Sequence, residues 1–167
     1  MRDFRPIINI LGLLLCIESV ALLIHMFFYL INQNPDWKLF FFISCLTFLI
    51  GLVLYVGFKK EKIKINLRQA FLLTIVSWFL IAFFGSLPFI YTNSSLNFTN
   101  AFFEAVSGIT TTGSTVIPNL ENLSEGILVW RSLLQWFGGI GFIVLAVAIL
   151  PTLQIGGMQL LHMEHDD

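Results

Sequence analysis

Residues 107–115 read Ser107-Gly108-Ile109-Thr110-Thr111-Thr112-Gly113-Ser114-Thr115, a hydroxyl- and glycine-rich turn between two long apolar runs. A short apolar segment, Phe98 to Ile109, leads into it. At ~1.5 Å per residue this segment reaches about 18 Å, short of a ~30 Å hydrocarbon core. A full-length span, Leu67 to Tyr91, comes before it, and another, Gly126 to Leu150, follows the turn. Span, half-helix, polar turn and span together predict a re-entrant loop. Non-helical backbone survives at membrane depth only where protein buries it or where it lines a watery path. The arrangement points to ion permeation.

The rest of the chain agrees with a membrane setting. Of 167 residues, 57% are hydrophobic, 18 are Phe and only 11% are charged. Mean hydropathy is +0.86. These values place the chain among multi-spanning membrane proteins. A net charge of −1 gives no basis for nucleic-acid binding. Cys16 and Cys45 both fall inside apolar spans, where they read as small buried hydrophobes without metal spacing or a disulfide framework. No nucleophile–base pair or metal cluster accompanies the turn, so neither an enzyme nor a bound cofactor is expected.

Two more spans, Pro6 to Ile31 and Trp37 to Phe58, precede those around the turn. The short polar link Asn32-Gln33-Asn34-Pro35-Asp36 joins them as a tight antiparallel hairpin. The first apolar run is too long for a signal peptide and no small-residue cleavage site follows it. Arg2, Arg5, Lys59, Lys60, Lys62, Lys64 and Arg68 all lie on one side of this topology. The positive-inside rule makes that side, with the N-terminus, cytoplasmic. The half-helix then enters from outside. The basic loop reads as a topology signal rather than a headgroup site. Three sequons begin at Asn93, Asn97 and Asn122, a short and common pattern. After Pro151 the chain carries His162, Glu164, His165, Asp166 and Asp167, a polar end whose histidine pair admits a metal reading as the lesser one. The domains expected are 1–64, a two-helix hairpin with its basic loop, 65–151, one pore unit, and 152–167, a cytoplasmic tail.

A potassium ion entering a narrow filter sheds water, so protein oxygens must replace it, and backbone carbonyls do so well. Thr110, Thr111 and Thr112 offer three successive carbonyls. Gly113 is free to take φ > 0 and turn the strand. The half-helix ends at the turn, where its dipole favours a cation. Glu104 reads as a support of the filter, an acid early in that helix that complements the opposite end of the dipole. In the fourth span, Gly138, Gly139 and Gly141 permit close backbone approach or a bend, and Ser114 follows the filter glycine as a further support. Arg131 and Gln135 should face protein or water. Arg131 repels cations, orients the loop or snorkels to the interface. Glu18 and His25, seven apart on one face of the first span, read as a packing contact or partner-facing patch ahead of a proton relay.

The run Phe102-Phe103-Glu104-Ala105-Val106-Ser107-Gly108-Ile109-Thr110-Thr111-Thr112-Gly113-Ser114-Thr115-Val116 resembles the first filter region of Trk-type potassium transporters. So do Gln135-Trp136-Phe137-Gly138-Gly139-Ile140-Gly141, Ile149-Leu150-Pro151 and Gly156-Gly157-Met158-Gln159-Leu160. The resemblance implies an all-α membrane protein: two extra N-terminal helices, then one span–pore helix–span repeat of a pseudo-fourfold, potassium-channel-like pore. It implies that Thr110 to Gly113 form one quarter of a filter, with potassium at Thr111 and Thr112. It also implies a bacterial inner membrane, a homo-oligomer and a cytosolic nucleotide-binding regulatory subunit. No second Thr-Gly filter turn follows, so the expectation is a truncated or split subunit completed by the missing repeats. Further copies of the chain in a homotetrameric channel, or a non-transporting assembly or regulatory partner, are the alternatives.

Overall fold

Lipid tails are as apolar as leucine, so helices in a membrane associate through small and polar residues rather than through hydrophobicity. The two N-terminal helices show this. In the computed structural model, which describes residues 4–59, 65–92, 96–118 and 123–163 with α5 side chains as far as Val144, α1 is Arg5–Ile31 and α2 is Trp37–Gly57. Gly12 and Gly51 lie at their crossing. A Cβ on Gly12 would collide with the backbone of Tyr55 and Gly51, and one on Gly51 would lie 2.9 Å from the backbone of Cys16 and Gly12. Two hydrogen bonds link the pair: Asn9 Nδ2 donates to Tyr55 O at 2.6 Å, and Ser44 Oγ to Ser19 O at 2.8 Å. The opposite face of α2, with Phe42, Leu49 and Val53, is exposed, as a lipid-facing surface requires.

Three helices follow: α3 (Leu67–Tyr91), α4 (Phe98–Ile109) and α5 (Glu125–Met163). Asn66 and Gln69 form a capping box at the start of α3. Asn97, read from sequence only as a sequon, caps α4 by accepting from Asn100 N at 2.9 Å. Asn93 and Asn122, the acceptor residues of the other two sequons, lie outside the described residues. Among the described residues there are no strands. Four helices, α1, α2, α3 and α5, are long and apolar enough to cross a membrane. The protein is a multi-pass, all-α membrane protein, and α4, at 12 residues, is its short helix.

Differences from the sequence reading are local. The helix expected to end at Leu150 continues through Pro151 to Met163. Its side chains there, His162 included, lie outside the described residues, as does His165. Cys16 and Cys45 are free thiols and half-buried rather than buried. His25 is packed among the rings of Phe28, Tyr29, Phe40 and Trp130 at 4.7–5.9 Å, which is the packing role. Its Nε2 and both carboxyl oxygens of Glu18 find no partner among the described residues, so the two do not bond to each other.

The α3–α4–α5 group closes around α5. Leu134 fits against Gly85 of α3 and Gly108 of α4, where a Cβ would lie 2.9 and 3.1 Å from its side chain. Trp130, fully buried, donates from Nε1 to Gly85 O at 2.9 Å. At one end of the molecule Tyr29 meets Ser124 Oγ at 3.1 Å and lies against Gly126, tying α1 to the start of α5.

Candidate functional site

A helix that ends must dispose of its last carbonyls. α4 does so by folding its own continuation back. Thr110 is the C-cap. Thr111 N donates to Gly108 O at 2.9 Å, and Thr112 N to Ser107 O at 3.0 Å. This is the Schellman pattern, which needs a left-handed residue just past the cap, usually glycine. Here that residue is Thr111, with φ +57. A β-branched residue in that region is a true outlier and stores about 1–3 kcal/mol of strain. Gly113, with φ +79, makes a second left-handed step, as its sequence position led us to expect.

The closure determines which oxygens are left. The carbonyls of Ser107 and Gly108 are used by the cap. Those of Thr110, Thr111 and Thr112 accept no hydrogen bond among the described residues, and all three residues are exposed. The hydroxyls turn inward on the loop: Thr110 Oγ1 donates to Val106 O at 2.8 Å and lies 2.7 Å from Thr112 Oγ1. Three main-chain oxygens in succession are thus unused, beside the negative end of the α4 dipole.

Past Gly113 the extended chain is held by an ion pair and by a serine hydroxyl. Glu104 is fully buried, and its Oε2 accepts from Arg131 Nε at 3.0 Å. Its Oε1 accepts from Thr115 Oγ1 and Val116 N, both at 2.6 Å. The Arg131 guanidinium also donates to Gly113 O at 2.8 Å and Ser114 O at 3.1 Å. Ser107 Oγ donates to Ser114 O at 2.6 Å. The Glu104–Arg131 pair, with Ser107 Oγ beside it, therefore fastens the extended segment 113–116 to α4 and α5. This corrects the dipole role expected for Glu104, since no acid lies in the first turn of α4. Of the readings open for Arg131, orientation of the loop is the one its contacts carry. The pairing leaves no local pattern in the sequence, because the partners are 27 residues apart.

The three glycines of α5 separate. A Cβ on Gly138 would collide with the carbonyl of Ile109, so α5 touches the very end of α4 there. A Cβ on Gly139 or Gly141 would meet nothing within 4 Å among the described residues. Among those residues there is also no cluster of His, Cys, Asp or Glu fit for a metal ion.

The family model TrkH, described as a cation transport protein, matches residues 38–166. The Trk system potassium uptake protein TrkH of Escherichia coli K12 is 43% identical over 162 residues, covering 96% of this chain and 34% of its own length. The TrkI protein of Halomonas elongata is 36% identical over 167 residues, covering 100% of this chain and again 34% of the relative. The crystal structure of the potassium transporter TrkH from Vibrio parahaemolyticus matches at a TM-score of 0.85 and 40% identity, covering 93% of this chain and 34% of that one. The chain spans about a third of the length of the relatives it matches.

Proposed function

The chain belongs to the TrkH family of cation transport proteins, and on that premise we propose that it forms the first pore unit of a potassium uptake system. α4 acts as a re-entrant pore helix entering from the outer face, and residues 110–113 supply one strand of the filter. Potassium is the transported substrate, held at the carbonyls of Thr111 and Thr112 with that of Thr110 beside them. The observation that carries this reading is the run of three carbonyls, Thr110 to Thr112, that accept no hydrogen bond among the described residues once the Schellman closure has formed at the end of α4. Such oxygens replace a cation's hydration shell without bringing a fixed charge. Gly113 O is engaged by Arg131 and serves the loop's shape more than the ion.

Support comes from behind the strand. The Glu104–Arg131 pair sets the direction of residues 113–116, and Gly138 fixes the distance between α5 and the end of α4. One strand cannot ring an ion. Three more, from further repeats in the assembled transporter, complete the filter. α1 and α2 are the helices that precede the first repeat. The unit sits in the bacterial inner membrane with its N-terminus cytoplasmic, and the assembled protein is a homo-oligomer paired with a cytosolic nucleotide-binding subunit.

Potassium-limited growth of an uptake-deficient strain tests this, with the unit expressed together with the remaining repeats. Growth is expected with the natural sequence and loss of growth or of potassium-over-sodium preference with Gly113→Val. An unchanged preference in a protein that still reaches the membrane would remove the filter assignment.

A further inference from the structure

Gln135 lies in the middle of the apolar stretch of α5, Glu125–Val144. It follows Leu134, which packs on Gly108, and lies less than one turn before Gly138, which touches the carbonyl of Ile109. Its backbone is therefore level with the end of α4 and the start of the loop. One residue on from Leu134 is about 100° round the helix, so the side chain leaves α5 to one side of α4 rather than into it. It is only partly covered, and its amide makes no hydrogen bond among the described residues. Ser132 and Gly139 share that side at helical spacing. Ser132 Oγ is turned back onto Leu128 O at 2.9 Å, and a Cβ on Gly139 would meet nothing within 4 Å among the described residues. The exposed Trp136, Ile140 and Ile143 suit lipid. An unbonded amide beside them is costly in hydrocarbon and calls for protein.

The same unit displays a matching edge. The N–H groups of Ser114 and Thr115 donate to nothing among the described residues, and both residues are exposed. Their neighbours are engaged: Gly113 N donates to Ser107 O and Val116 N to Glu104 Oε1. Each unit thus carries two adjacent free donors past its loop and a free amide on α5, and the two do not meet within it. In a ring of like units every contact is head to tail, so each unit must present both halves of it. We propose that Gln135 is a positioning residue for the adjoining pore unit, its amide oxygen accepting from the neighbour's N–H groups at the positions of Ser114 and Thr115. The open side of Gly139 admits that backbone. The Ser114–Thr115 edge of this unit is held in the same way by the unit on its other side. The inference rests on the reading of residues 110–113 as one filter segment among several, and adds what fixes adjacent segments relative to each other.

The test coexpresses this chain and the remaining repeats as two polypeptides, with Cys16→Ala and Cys45→Ala as background. Gln135→Cys is combined with a cysteine at the counterpart of Thr115 in the next repeat. A short bis-methanethiosulfonate reagent is expected to join the two polypeptides, and to fail when Trp136→Cys replaces Gln135→Cys. In a second measurement Gln135→Met keeps the length of the side chain and loses the amide. The isolated chain should melt as the natural sequence does, because the amide has no partner within it. The assembled transporter should melt lower and lose potassium-over-sodium preference. No crosslink from position 135, or one as efficient from position 136, overturns the proposal. So does an unchanged preference in Gln135→Met where Gly113→Val abolishes it, a result that leaves the filter reading standing. An unchanged preference in both variants overturns the filter reading as well.

Discussion

Arg131 Nε lies 3.0 Å from Glu104 Oε2, and the same guanidinium reaches Gly113 O at 2.8 Å, so one cation ties the middle of α4 to the strand that leaves the loop. Glu104 is fully buried while Arg131 remains 13% exposed at its side chain. The loop's direction therefore depends on a pair whose negative member has no access to water.

Removing the cation should be worse than removing both charges. Breaking a buried pair by deleting one partner costs about 3–5 kcal/mol, because the other charge is stranded. Arg131→Met is expected to lower the thermal midpoint sharply, and Arg131→Met with Glu104→Gln to recover part of the loss. Arg131→Lys should fall between, since an ammonium cannot reproduce the guanidinium fork. Thermal unfolding in detergent measures all three.

Thr111 sets stability against function. With φ +57 it is strained, and Thr111→Gly should relieve about 1–2 kcal/mol. The fold is expected to gain stability and the filter to lose order. A thermal midpoint that rises while potassium-over-sodium preference falls, in the assembled transporter, is the expected pair of results.

Gly138 and its neighbours should respond differently. Gly138→Ala drives a methyl into the Ile109 carbonyl and forces α5 away from α4, an overpacking cost of about 1–3 kcal/mol. Gly139→Ala and Gly141→Ala meet open space within this unit. Only the first should destabilise the isolated chain, as read by its thermal midpoint.

At the head of α4, Asn97→Ala removes the side chain that accepts from Asn100 N. About 1 kcal/mol is expected to be lost, and Asn97→Ser should retain most of it. Chemical denaturation of the reconstituted chain would show the ranking.

Much of this architecture was legible because a membrane leaves few choices. The apolar runs placed α1 to α4 within a residue of their ends, since uninterrupted hydrophobicity, the Asn32–Asp36 link and the polar stretch ahead of Asn97 are each strong signals. The continuation of α5 past Pro151 was not legible, because a proline ordinarily marks a stop. The loop was half-read. Gly113 announced its left-handed step, but Thr111 did not, because the closure that demands it is usually written with glycine. Glu104 was singled out as a support of the filter, but for a place in the first turn of α4 that it does not occupy. Its true partner is on another helix, and pairing at that separation leaves no local pattern. The glycines of α5 looked alike in sequence, and only packing against Ile109 distinguishes Gly138.

Permeation through this unit requires the carbonyls after α4 to hold a bare alkali ion. Anomalous diffraction from crystals of the assembled transporter grown with rubidium measures this directly. Rubidium is predicted in contact with the main-chain oxygens of Thr111 and Thr112. A well-ordered loop with no anomalous density at those oxygens, in crystals that show rubidium elsewhere along the pore, would contradict it.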